Sequence, residues 1–164
     1  MLTNSMSFTA TLPSTSEKLT LSLQASWAIE TDYDYMQVKV NGTAIAGNYT
    51  KSINAINNAR HIITGKSSDI STAVGSDAWV ALEYDLSAYA GKSVTIEFTY
   101  VTDEAAIESG ITIDNISIKQ GVTERYADNA EVAGKATLVG YSRITSTRPG
   151  AASRYLIQLR SHNG

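Results

Sequence analysis

Carboxylates gather in three short stretches of the chain: Glu30, Asp32 and Asp34 in WAIETDYDYMQVKVNG, Asp103, Glu104 and Glu108 in TDEAAIESG, and Asp114 in GITIDNISIK. Clustered side-chain oxygens suit a hard cation, and calcium takes about six to eight of them at roughly 2.3–2.6 Å. If the stretches share one end of the fold, Glu30, Asp32, Asp34, Asp103 and Asp114 become candidate calcium ligands. The Asp32-x-Asp34 spacing puts both carboxylates on one face of an extended backbone, toward the side where Met36 and Val38 are expected to be buried. An unpaired carboxylate is costly there, and a cation, an arginine partner or an exposed turn would each relieve the cost. The spacing is not that of an EF-hand, because DYDYMQVKVNG lacks the third acid and the glycine at loop position six.

Other chemistries find little support. The chain has two histidines, His61 and His162, in loop-like or terminal sequence, and no HExxH pair for zinc. Serine is plentiful, but GxSxG is absent. Gly65-Lys66-Ser67 looks like the end of a phosphate loop, yet the first glycine is missing because position 60 is Arg60. A glycosidase-like carboxylate pair cannot be assigned from spacing alone. Nine tyrosines and two tryptophans supply material for a sugar platform. Tyr33 and Tyr35 are the candidates, since they oppose the parity of Met36 and Val38, whereas Trp27 shares the buried parity of its strand.

The elements that must position these residues read as strands. Leu19, Leu21, Leu23, Ala25, Trp27 and Ile29 alternate strictly, and Met36, Val38 and Val40 resume on the other parity, stopping at Asn41-Gly42. Opposed parity predicts a hairpin with its tip over 30–35. Residues 43–78 suggest edge strands and long loops. Trp79, Ala81 and a strand reaching Tyr84 precede a turn in DLSAYAGK, and Val94, Ile96, Phe98 and Tyr100 mark another strand. Ile111 and Ile113, then Ile116 and Ile118, change phase at Asp114-Asn115 as a β-bulge would make them. ATLVGYSRI and SRYLIQLRS read as a last strand pair beyond a polar connector.

With 164 residues, one domain is the default. Net charge of -3 without a Lys/Arg stripe argues against nucleic acid, and no apolar run is long enough for a membrane span. The absence of cysteine excludes disulfides and Cys-ligated zinc. The wealth of Ser, Thr, Asn, Gly and Tyr suits the polar outer faces of sheets. The expectation is an all-β, antiparallel jelly-roll sandwich, and an extracellular one.

The stretches WAIETDYDYMQVKVNG, WVALEYDLSAYAGKSVTIEFTYVTDEA and GITIDNISI, followed by YADNAE and YLIQLRSHNG, resemble in order the accessory region of secreted bacterial M6 metallopeptidases of the immune inhibitor A type. MAM-like and galactose-binding-like sandwiches share the acidic and closing strands. The resemblance implies a non-catalytic, calcium-stabilised jelly roll, with Asp32, Asp34, Asp103 and Asp114 at its acidic positions. It also implies zinc only in a separate catalytic domain of the same parent chain, which would be the partner. Residues 1–122 would form the accessory domain, and 123–164 a connector and terminal strand pair that either packs on the sandwich or begins a following domain. The parent would be exported from a bacterium, with its signal peptide outside these residues. The alternative is a carbohydrate-binding or adhesion module of another exported bacterial protein, with sugar or protein at the cell surface as partner.

Overall fold

A computed structural model describes residues 2–53, 57–70, 78–103, 108–144 and 154–156, the last three as backbone. The strands are β1 (Leu2–Thr11), β2 (Leu19–Ile29), β3 (Tyr35–Val40), β4 (Thr43–Ala44), β5 (Lys51–Ile53), β6 (Arg60–Ile63) and β7 (Gly65–Lys66). They continue as β8 (Val80–Asp85), β9 (Ser93–Thr102), β10 (Gly110–Gln120), β11 (Thr123–Asp128), β12 (Thr137–Val139), β13 (Ser142–Ile144) and β14 (Arg154–Leu156). Single 3-10 turns at Ser67–Asp69 and Ser87–Tyr89 are the only helical elements among the described residues.

Every strand pairing is antiparallel, and the strands form two sheets. One runs β12-β1-β9-β3-β6-β5 with β4 also on β3, and the other runs β13-β14-β10-β2-β7 with β11 also on β10 and β8 also on β2. Successive long strands alternate between them: β1, β3 and β9 lie in the first sheet, β2, β8 and β10 in the second. That wrapping makes an all-β jelly-roll sandwich.

The alternating residues of both sheets meet in one core that joins Met6 and Phe8, Leu21 and Trp27, Met36 and Val38, Phe98 and Tyr100, and Ile111 and Ile118. Each such Leu, Ile or Phe contributes about 1.5–3 kcal/mol by leaving water. In β8 the inward residues are Val80, Leu82 and Tyr84, so Trp79 and Ala81 stand on the other parity. The strand β1, which local sequence does not announce, pairs with β9 over its whole length, from Leu2 opposite Thr102 to Thr11 opposite Ser93. Tyr126 from β11 stacks on Phe8 with ring centroids 4.4 Å apart, tying residues past 122 to the first strand.

The hairpin expected over 30–35 is instead an arch. Opposed parity across 30–34 arises because the chain leaves β2 in one sheet and enters β3 in the other. The bulge in β10 is present: the register with β2 shifts between Asp114 and Ser117, and Asn115 takes φ 50°. The extra residue keeps Ile113 and Ile116 both inward.

Candidate functional site

Two arches cross between the sheets at the same end of the sandwich. One joins β2 to β3 over 30–34; the other leaves β9 at Thr102 and reaches β10 at Gly110. Tyr35 pairs with Val101, and Ala28 pairs with Gly110, so the four strand ends bring the two acidic stretches side by side.

The first arch closes on itself. Asp34 N–H donates to the Glu30 carbonyl at 3.1 Å, and Asp32 turns the corner at φ 68°. Thr64 sits inside it: its hydroxyl faces the Glu30 and Asp34 carbonyls at 3.1 and 2.9 Å and accepts the Asp32 N–H at 3.1 Å. Because the backbone is left-handed at Asp32 rather than extended, Asp32 and Asp34 part company. Asp34 is fully buried, while Asp32 pairs with Lys51 at 3.2 Å on the surface.

Glu30, Asp34 and Asp103 converge, each with a carboxylate oxygen within 4.8 Å of the others'. Asp34 Oδ1 accepts the Asp103 N–H at 2.8 Å. Its Oδ2, and Glu30 Oε2, are buried with no hydrogen-bond partner among the described residues. Burial, and then the charges of Asp103, Asp34 and Glu108, push the Glu30 carboxyl above its usual range. Burial likewise raises Asp34; the Asp103 N–H opposes the rise, and the Asp103 charge adds to it. The Tyr100 hydroxyl, inward on β9, also counters the rise at Asp34, although it closes no hydrogen bond of normal geometry with it. Burial first, then these carboxylates, drive the Tyr100 phenol well above its ordinary value.

Of the five residues singled out as ligands, the structure therefore brings three together. Asp32 stays outside on its lysine, and Asp114 lies on the β10 bulge opposite Gln24, its Oδ1 accepting the Asn115 N–H at 2.7 Å. Glu108 stands at the rim, paired with Lys66 at 3.6 Å, and Glu104 lies outside the described residues. The donor set fits a hard divalent cation: two carboxylate oxygens are buried without donors beside a third carboxylate, an arrangement that is unfavourable until positive charge is added. Thr64 and Tyr100 are the site residues that local sequence did not single out. Tyr100 could have been found as an inward tyrosine at a strand end; nothing local marks Thr64.

The tyrosine platform does not form. Tyr33 is 48% exposed, but Tyr35 is buried beside Ile62 and Val101, and its hydroxyl accepts a bond from Asn57 Nδ2 at 3.3 Å. His61 lies on β6 at φ 55°, and His162 is outside the described residues.

Two antiparallel sheets packed on one core, with an acidic corner at one end, define the class as an all-β sandwich domain. Residues 1–146 match the family described as Immune inhibitor A-like, MAM domain, and the chain belongs to that family. It is similar to the Pre-pro-metalloprotease PrtV of Vibrio cholerae serotype O1, strains M66-2 and ATCC 39315, at 35% identity over 163 residues. That alignment covers 99% of this chain and 17% of PrtV, so the chain spans about a sixth of that relative's length. It is also 30% identical over 86 residues to Immune inhibitor A of Bacillus thuringiensis subsp. alesti, covering 52% of this chain and 12% of that protein. Among the described residues no helix is long and apolar enough to cross a membrane.

Proposed function

We propose that the chain is a non-catalytic accessory domain of a secreted, M6-type zinc metallopeptidase, and that a calcium ion at Glu30, Asp34 and Asp103 braces the end of its sandwich. The single observation carrying the first part is the near-complete alignment of this chain with one sixth of a metalloprotease. The sequence carries no HExxH, so the zinc and the peptide-bond chemistry belong to another domain of the parent, which is this domain's partner.

The acidic corner supports the second part. A cation there would neutralise carboxylates that otherwise repel one another, and it would lock the 30–34 arch to the end of β9. The bracing would be structural: Asp34 already fixes Asp103 through its N–H, and the ion would hold the side chains that this contact leaves unpaired. Such a domain would keep the catalytic domain folded and oriented during and after export.

The parent's open reading frame tests the first part. An HExxH-bearing segment upstream in frame is expected, and deletion of residues 1–146 should lower the yield of active, exported peptidase. The isolated chain should not cleave casein. An uninterrupted frame without a zinc motif, or metal-dependent proteolysis by this chain alone, would overturn the reading.

A further inference from the structure

The outer face of the second sheet carries a groove of about 450 Å³ that the acidic corner does not involve. Its floor is β2 and β10, where the hydroxyls of Ser22 and Ser117 lie 2.9 Å apart, and its far wall is β11 with the start of the connector that follows. The β10 bulge shapes it. Inserting one residue against β2 turns Asn115 outward in the left-handed region, where asparagine is better tolerated than most side chains.

We propose that this groove binds a neutral saccharide. Among the described residues, no hydrogen-bond partner engages the side chains of Gln24, Asn115, Lys119 or Glu124, although all four line the groove. Two amides, an ammonium and a carboxylate offer both donors and acceptors within one small volume. Hydroxyl groups, each of which donates and accepts, match that set. The charges cancel, Lys119 and Lys135 against Glu124 and Asp128, so neither a phosphate nor a cation is selected. A peptide strand has no place to add, because the floor is a sheet face rather than an open edge. The volume falls within the roughly 300–1,000 Å³ of small-ligand sites. This inference stands apart from the calcium reading: the groove shares no residue with Glu30, Asp34 and Asp103.

The test is amide NMR of the full chain titrated separately with chitotriose, maltotriose, mannotriose and inorganic phosphate. At least one trisaccharide should give saturable shifts at the Gln24 and Asn115 side-chain amides. Asn115→Gly, which keeps the left-handed backbone, and Gln24→Ala should each weaken binding by about tenfold, the worth of roughly one hydrogen bond, while the remaining spectrum stays native. The proposal is overturned if no trisaccharide shifts these resonances, if phosphate alone does, or if both variants bind as the unmodified chain does.

Discussion

Asp34 and Asp103 are joined across sixty-nine positions by one bond, from the Asp103 N–H to Asp34 Oδ1 at 2.8 Å. The contact ties the end of the first arch to the start of the second and leaves the other Asp34 oxygen buried without a donor. The bond favours the Asp34 carboxylate, while burial and the neighbouring Asp103 charge oppose it.

The pH dependence without metal should run opposite to ordinary acid denaturation. Glu30 and Asp34 titrate above their reference values of 4.5 and 3.8, burial being the first cause for both. Raised carboxyls contribute stability that is complete below the unfolded values and is lost as pH rises through the folded ones. In chelator, their contribution should raise the melting temperature as pH falls through their raised folded values toward 4.5 and 3.8. With calcium bound the carboxylates stay ionised, and the same acidification should lower it. Asp85, held below its usual range by the Ser87 hydroxyl and N–H, contributes the other way, its share being lost only as pH falls through its lower folded value. Two pH series of thermal melts check this, and parallel slopes with and without calcium would contradict it.

Thr64→Val, nearly isosteric, should open the first arch. Three backbone groups of residues 30–34 lose the hydroxyl that organises them. The expected cost is about 1–3 kcal/mol. Calorimetry in chelator measures it, and a parallel calcium titration should show binding weakened several-fold, a change that a purely remote packing defect would not produce.

A second hydroxyl stands in for a missing strand. Along the outer edge of β2, β8 stops opposite Ala25 and β7 begins opposite Ala28. In the gap, Ser67 Oγ accepts the Trp27 N–H at 3.0 Å and faces its carbonyl at 3.2 Å, all buried. Ser67→Ala strands both backbone groups, and each costs about 1–3 kcal/mol when left unsatisfied. Urea unfolding should show a lower midpoint with an unchanged slope.

Much of this was legible in the sequence because burial imposes period two on a strand wherever the strand lies. The Leu19 to Ile29 and Val94 to Tyr100 alternations are both buried, and the phase change at Asp114-Asn115 is a real bulge. The hairpin reading of 30–35 failed for a physical reason. Reversed parity follows equally from a hairpin or from an arch to the opposite sheet, and the partner that decides, β9, lies some sixty residues on. The strand β1 was missed although Met6, Phe8 and Ala10 alternate, since Ser and Thr between them read equally as loop. At the corner, the convergence of Glu30, Asp34 and Asp103 was anticipated from acid content, but the left-handed turn at Asp32 was not, and that turn separates Asp32 from the cluster.

The most direct test is thermal unfolding of the chain in chelator and in millimolar calcium, together with Asp34→Asn. A ligand held only by the folded state at a hundredfold excess over Kd adds about 2.7 kcal/mol, or an upward shift of about 5 to 11 °C for a domain of this size. That shift is expected for the unmodified chain. Asp34→Asn, which keeps an oxygen for the Asp103 N–H but removes the buried charge, should melt at a higher temperature in chelator and show no calcium response. Identical melts of the unmodified chain in chelator and calcium would mean that Glu30, Asp34 and Asp103 hold no calcium.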